Sequence, residues 1–226
     1  TNWTAVNSLN TARGLLGSAG ADNTAALAFG GEAPPPTAAT ELWNGTNWTE
    51  VNNLNTARLM VAGVGTSTAA LAFGGRVPPY SGVTESWNGT NWTTVNSLNT
   101  AREKLAGAGT QTSALAFGGY DTENKTAVEI WNGTAWSDAS ALSTARSGLG
   151  GAGTATNALA FGGSTGSNSA LTEEWTGAGA PVGAWSTGGS LNTARGQNAG
   201  AGADNTSGLT FGGSPIPGVA GKTEQY

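Results

Sequence analysis

The chain has 226 residues, no cysteine and no histidine, nine basic against fourteen acidic side chains, and a formal net charge of −5. That composition leaves out disulfides, thiolate metal sites and imidazole general bases. With no basic cluster anywhere it lacks the electrostatic footprint of a nucleic-acid binder, and it has no apolar run long enough to cross a bilayer, so neither nucleic acid nor membrane insertion is expected.

The first stretch, Thr1 to Ser8, reads TNWTAVNS, and close variants of it return along the chain. The Trp of Asn-Trp or Ala-Trp falls at Trp3, Trp48, Trp92, Trp136 and Trp185, in steps of 45, 44, 44 and 49 residues. The Arg of Thr-Ala-Arg falls at Arg13, Arg58, Arg102, Arg146 and Arg195, and the Phe of Phe-Gly-Gly at Phe29, Phe73, Phe117, Phe161 and Phe211. Five copies of each marker define five units, to be read as copies of one element before any residue is interpreted alone. Uniform periodicity without a linker predicts a single domain over residues 1–226, with units starting near the five arginines.

Within the unit that begins at Arg58, Leu59 to Gly65 is a light apolar run and Thr66 to Thr68 a polar turn. Ala69 to Phe73 is a second strand stopped by Gly74-Gly75, and a variable loop follows. Val83 to Trp87, Asn88-Gly89 and Thr90 to Val95 then make a hairpin. Four short strands per unit without helical periodicity predict an all-β fold, a five-bladed β-propeller of four-stranded antiparallel blades. Asn-Gly between two strands predicts a two-residue type I′ turn, which places Trp87 opposite Thr90 and Glu85 opposite Trp92, all on one face. The first strands, LMVAGVG, EKLAGAG and SGLGGAG among them, are rich in glycine, which weakens a strand unless another backbone comes close. They predict inner strands converging on a tight, largely apolar channel too small for an organic substrate.

The chain ends at Thr223-Glu224-Gln225-Tyr226, where other units continue into the Trp hairpin, and it begins with the piece that the last unit lacks. The expectation is a closed ring in which residues 1–8 complete the last blade as its outer strand. Each unit also carries one Glu before its Trp site, at Glu41, Glu85, Glu129, Glu173 and Glu224. A charge pair repeated once per blade reads as a structural ion pair; the alternative is a ring of cations holding an anion at the channel mouth. Asp22-Asn23 and Asp204-Asn205 sit in turns one residue longer than the rest, and a calcium site there would have one carboxylate apiece. No cofactor or metal is expected.

Gly-Gly after the second strand (Gly30-Gly31, Gly74-Gly75, Gly118-Gly119, Gly162-Gly163, Gly212-Gly213), an aromatic site some way on, a Trp and then an Arg together resemble the kelch motif in all five units. The resemblance implies four-stranded propeller blades, which kelch proteins usually carry in larger rings. The wording WNGTxWT, LNTAR and ALAFGG is also similar to kelch-like repeats in structural or tail proteins of marine bacteriophages, which implies a place on a virion or an extracellular surface. Kelch-type oxidases hold copper through Tyr and His; this chain has only Tyr80, Tyr120 and Tyr226 and no His. No nucleophile–base constellation is visible, so the expectation is a protein that is not an enzyme.

Specificity in a repeated scaffold lies where the copies differ. The loops after each Gly-Gly are Glu32 to Thr37, Arg76 to Ser81, Tyr120 to Lys125, Ser164 to Ser169 and Ser214 to Val219. By propeller topology they share one face, and loops on a rigid scaffold are where binding concentrates. Arg76, Tyr80, Tyr120 and Asp121 are the candidate contacts for a glycan or a protein partner. The alternative is a purely structural virion or fibre piece. The opened hairpin from Thr176 to Ala184 lies on the opposite face.

Overall fold

The computed structural model describes residues 3–177, 183–213 and 223–225. The first blade is β1 (Gly17–Asp22), β2 (Ala25–Phe29), β3 (Thr40–Trp43) and β4 (Trp48–Val51). The second is β5 (Ala62–Gly65), β6 (Ala70–Phe73), β7 (Thr84–Trp87) and β8 (Trp92–Val95), and the third β9 (Ala106–Gly109), β10 (Ala114–Phe117), β11 (Val128–Trp131) and β12 (Trp136–Ala139). The fourth is β13 (Gly150–Gly153), β14 (Asn157–Phe161), β15 (Thr172–Thr176) and β16 (Ala184–Thr187); the fifth holds β17 (Ala199–Gly202), β18 (Gly208–Phe211) and β19 (Thr223–Gln225). All pairings are antiparallel between neighbours in the chain, and the described residues form no helix. The fold is the expected five-bladed propeller. The expected closing strand is not formed: Trp3 to Ser8 carry no ladder, so the fifth blade has three strands among the described residues.

The hairpin register differs from the sequence expectation. Trp87 faces Trp92 and Glu85 faces Thr94, so four residues, Asn88 to Asn91, make the loop. The cause is the Asn side chain. Asn88 Oδ1 accepts from the amides of Thr90 at 3.0 Å and Asn91 at 2.8 Å, capping the turn from within, and only Gly89 needs positive φ. A shift of two residues preserves facing, so both tryptophans stay on one side. The indole of the third strand closes the far end of its blade: Trp43, Trp87, Trp131 and Trp175 each donate to a carbonyl in the turn between the blade's first two strands, at 2.9 to 3.1 Å.

Blades join through a knob and a socket. The Phe ending the second strand of each of the first four blades points into the next blade, where it meets an inner-strand glycine and, from the first three, an outer-strand Trp. A Cβ added at Gly63, Gly107, Gly151 or Gly200 would lie 2.5, 2.6, 2.8 or 2.3 Å from Cζ of Phe29, Phe73, Phe117 or Phe161. No real Cβ tolerates that distance, which is why the strand gives up side chains there. Opposite the glycine, Trp92, Trp136 and Trp185 meet Phe29, Phe73 and Phe117 with ring centroids 5.0 to 5.1 Å apart and planes at 60 to 66°, the edge-on geometry that aromatic pairs favour. Trp92 and Trp136 also donate from Nε1 to Thr40 and Thr84 Oγ1 of the preceding blade, at 3.1 and 3.0 Å. For Trp185 of the fourth blade, Val128 of the third stands where that Thr would be, and the buried Trp185 Nε1 has no partner.

The repeated arginines stand at the same junctions and tie each blade from within. Every one of the five guanidinium groups is fully buried and paired with the Glu of its own blade: Arg58 with Glu85 at 3.2 Å, Arg146 with Glu173 at 2.8 Å, and Arg13, Arg102 and Arg195 with Glu41, Glu129 and Glu224. No cation ring faces the channel. Each Glu also accepts a backbone amide from the approaching loop, as from Asn10, Asn55, Asn99, Ser143 and Asn192, at 2.6 to 2.7 Å. Burial pushes Arg58 down to about 10, against the pull of the Glu85 charge. For Glu41 burial acts upward, but the amides and Arg13 outweigh it and hold the carboxyl below its ordinary value. The Arg carbonyl completes the junction by accepting the second Gly amide of the preceding blade at 2.8 to 2.9 Å.

The axis is roomier than expected. An axial cavity of about 490 Å³ is walled by the five inner strands, with Ser18 and Val64 its largest side chains. That is the size of an ordinary small-molecule pocket. The Phe knobs hold neighbouring inner strands apart, and glycine and alanine leave the space between them unfilled.

Candidate ligand-binding face

The first four variable loops and the segments that follow the first four arginines lie on one face because short antiparallel bridges join them: Gly14 to Glu32, Leu59 to Arg76, Glu103 to Tyr120 and Ser147 to Ser164. Each loop is thus held at its first residue by the blade that carries it. Glu103 and Tyr120 exchange amide hydrogen bonds in both directions at 2.9 and 2.8 Å.

On this scaffold the boundary of the second and third blades gathers aromatic and charged groups. The Tyr80 and Tyr120 rings meet edge to face, with centroids 6.2 Å apart. Lys104 Nζ stands 5.9 Å from the Tyr120 centroid, within cation–π range. Between them lies Glu103, only 3% exposed. Its carboxylate oxygens are 3.9 Å from Arg76 Nε and 3.9 Å from Lys104 Nζ, beyond hydrogen-bond distance, and Oε2 has no hydrogen-bond partner. A buried carboxylate left like this is costly. Partial burial, together with Tyr120 and the Glu103 charge, raises the Tyr80 phenol above its ordinary value.

Three of the four expected contacts therefore meet: Arg76, Tyr80 and Tyr120 surround Glu103. Asp121 sits one residue on, but its carboxylate pairs with Lys125 at 2.9 Å and accepts from Thr122, which outweighs burial and keeps it below its ordinary value. The Ser214 to Val219 loop, residues 178–182 and Tyr226 lie outside the described residues. Glu103 and Lys104 were missed by the sequence reading, although a signal existed. The two positions after the repeated Arg read Gly-Leu, Leu-Met, Glu-Lys, Ser-Gly and Gly-Gln, and only one unit is charged there.

Lys104 also belongs to a second feature. Leu15, Met60, Lys104, Gly148 and Gln197 all have φ between 54 and 59°, a region that residues with side chains seldom enter. They are chained from blade to blade: Met60 donates its amide to Leu15, Lys104 to Met60, Gly148 to Lys104 and Gln197 to Gly148, at 2.6 to 3.3 Å. The annulus lines a vestibule of about 170 Å³ with a different residue of the one repeat position from each blade. Strain of this kind persists where surrounding structure enforces it.

Asp22 and Asp204 cap their own turns. Each Oδ1 accepts the amide and hydroxyl of the Thr two residues on, Thr24 and Thr206, which holds both acids below their ordinary values. Among the described residues no three acidic side chains come together as metal ligands would. No protein-family model matches the chain, and no curated protein matches its sequence.

Proposed function

We propose that the chain is a non-enzymatic recognition module that binds a glycan or a protein side chain at the boundary of the second and third blades. The observation that carries this is Glu103, a buried carboxylate with an unused oxygen beneath two tyrosines and flanked by Arg76 and Lys104. A repeat scaffold has no structural need for it, since the other four units do without. A polyhydroxylated ligand would lay a C–H face on Tyr120, bring a hydroxyl hydrogen to Glu103 as Arg76 swings aside, and offer oxygens to Arg76 and Lys104. A chain without His or Cys, with its repeated Glu committed to Arg, supports binding over catalysis.

The resemblance to kelch-like phage repeats supports display on a virion or extracellular surface. The test is a glycan array and a panel of surface proteins, followed by titration of any hit. Tyr80→Ala and Tyr120→Ala should each weaken binding about 5–30-fold, as central aromatic contacts do, with the melting midpoint unchanged. Binding that survives both substitutions, or no hit in either panel, overturns the reading. A structural role, as virion or fibre decoration, is favoured instead by the near-identity of the blades. It would appear as ordered, stoichiometric density on a particle.

A further inference from the structure

The aromatic site on the third blade has a counterpart one blade on. Glu103 bridges to Tyr120 and Tyr120 to Asn124, as Ser147 bridges to Ser164 and Ser164 to Asn168. The repeat therefore sets Ser147, Gly148 and Ser164 of the fourth blade where the third has Glu103, Lys104 and Tyr120. Each of the three replacements is smaller. The space they release is a pocket of about 180 Å³, bounded by Lys104 of the third blade and by Gly196 and Gln197 of the fifth.

The pocket is polar, and the scaffold does not use up its groups. Ser147 and Ser164 exchange backbone hydrogen bonds at 3.1 and 2.8 Å, and Gln197 donates its backbone amide to the Gly148 carbonyl at 2.6 Å. These bonds engage only the main chain. The Ser147 hydroxyl and the Gln197 carboxamide make no hydrogen bond among the described residues, whereas the repeated Asn52, Asn55 and Asn99 donate their carboxamides within the ring. Asn168 reaches in from the loop: its Oδ1 lies 3.0 Å from where a Cβ at Gly196 would stand.

Lys104 joins the two places. Its ammonium is 5.9 Å from the Tyr120 centroid and 3.9 Å from the Glu103 carboxylate, beyond hydrogen-bond distance, so its donors remain available. Hydroxyls and carboxamides held in fixed positions suit the hydroxyls of a sugar. One cation, with no acidic side chain in the pocket wall, favours an anionic substituent beside them.

We infer that this pocket is a second subsite of the same face, and that the ligand is an acidic oligosaccharide with two of its rings at equivalent positions on the third and fourth blades. One ring lies on Tyr120 above Glu103. The other enters the pocket in place of roughly six waters and hydrogen-bonds Ser147, Asn168 and Gln197. A carboxylate on the saccharide meets Lys104 between them. The inference rests on the reading of Tyr80, Tyr120 and Glu103 as a ligand site.

The repeat supplies its own test. Ser164→Tyr gives the fourth blade the side chain that the third already carries at this position, and so closes the pocket with a residue the backbone there accepts. The probes are oligomers of galacturonic and glucuronic acid, one to four rings long, and the same oligomers with each carboxyl reduced to a hydroxymethyl group, arrayed and then titrated. The protein should hold the acidic oligomers about tenfold tighter than single rings, and about tenfold tighter than the reduced oligomers, the discrimination that one charge-assisted hydrogen bond gives. Ser164→Tyr should remove the gain with length and Lys104→Gln the gain from the carboxyl, both with the melting midpoint unchanged. Gln197→Ala, at an exposed position, should remove part of the gain with length. Binding that depends on Tyr120 but ignores the carboxyl and survives Ser164→Tyr overturns the inference and leaves the aromatic site standing. Binding lost in Ser164→Tyr but untouched by Tyr120→Ala shows two separate sites and overturns it too. No binding of any acidic oligomer does the same, and the aromatic site is then decided by the wider glycan and protein panels.

Discussion

Four junctions of the ring and the fifth use the same vocabulary and reach different results. At the four, a Cβ on the first glycine of the Gly-Gly doublet would come within 2.6 to 2.8 Å of the next blade's Arg carbonyl; at Gly212 none of the described residues lies within 4 Å. At the four, the annulus residues are hydrogen-bonded to their neighbours; between Gln197 and Leu15 the described residues show no such bond. Phe29, Phe73, Phe117 and Phe161 are buried, whereas Phe211 is not. The Arg–Glu tie, by contrast, is present in all five blades. Blade formation and blade joining are therefore separable: the ion pair organises a blade from within, while the Phe–Gly contact goes with two blades closing on each other.

Truncating the knob gives the largest test of that division. Phe73→Ala removes a fully buried ring from its socket and should cost about 3–5 kcal/mol, read from chemical denaturation. Phe211→Ala, at the fifth junction, should cost under about 1 kcal/mol, in line with a partly exposed side chain. Equal losses at the two sites would show the fifth junction to be packed like the others.

Exchanging the glycine for the serine moves the defect. Gly107→Ser puts a Cβ against Phe73 and should destabilise by about 1–3 kcal/mol, the range for overpacking, with faster amide exchange confined to the second and third blades. Ser18 faces Ala28 as Gly63 faces Ala72, so the reciprocal Ser18→Gly should instead raise the melting midpoint, because the gain from admitting Phe211 offsets the roughly 0.5–1 kcal/mol that glycine costs within a strand. A fall in the midpoint would mean that Ser18 is not the obstacle.

These residues also mark how far the sequence could be read. Blade number and strand order follow from Trp, Arg and Phe markers that repeat in step, since each is a local feature of one unit. The hairpin register was misjudged because Asn88 caps its loop with a side chain, a choice that the Asn-Gly pair alone does not reveal. The serine at position 18 was in plain view, yet its meaning depends on a Phe from another blade, and contacts between units have no signature within one unit. The axial cavity was misjudged for the same reason. Tyr80, Tyr120 and Arg76 were found by asking where copies differ. Glu103 escaped because it sits in the segment after the repeated Arg, outside the loops that were compared.

The smallest effect concerns a junction that is closed but imperfect. Trp185 packs on Phe117 as its counterparts pack, yet its Nε1–H is buried without an acceptor because Val128 replaces the Thr of the other blades. Val128→Thr keeps the shape and supplies the oxygen. A buried donor that gains a partner recovers part of its desolvation penalty, and a typical hydrogen bond contributes about 0.5–1.5 kcal/mol. Val128→Thr should therefore stabilise the protein by about 1 kcal/mol, with the Trp185 indole proton moving downfield in the NMR spectrum. Val128→Ser, which supplies the oxygen but gives up the methyl packing, should recover less. Destabilisation by both would show that the indole lies too far from position 128, and that the third and fourth blades meet at a different angle from the pairs before them.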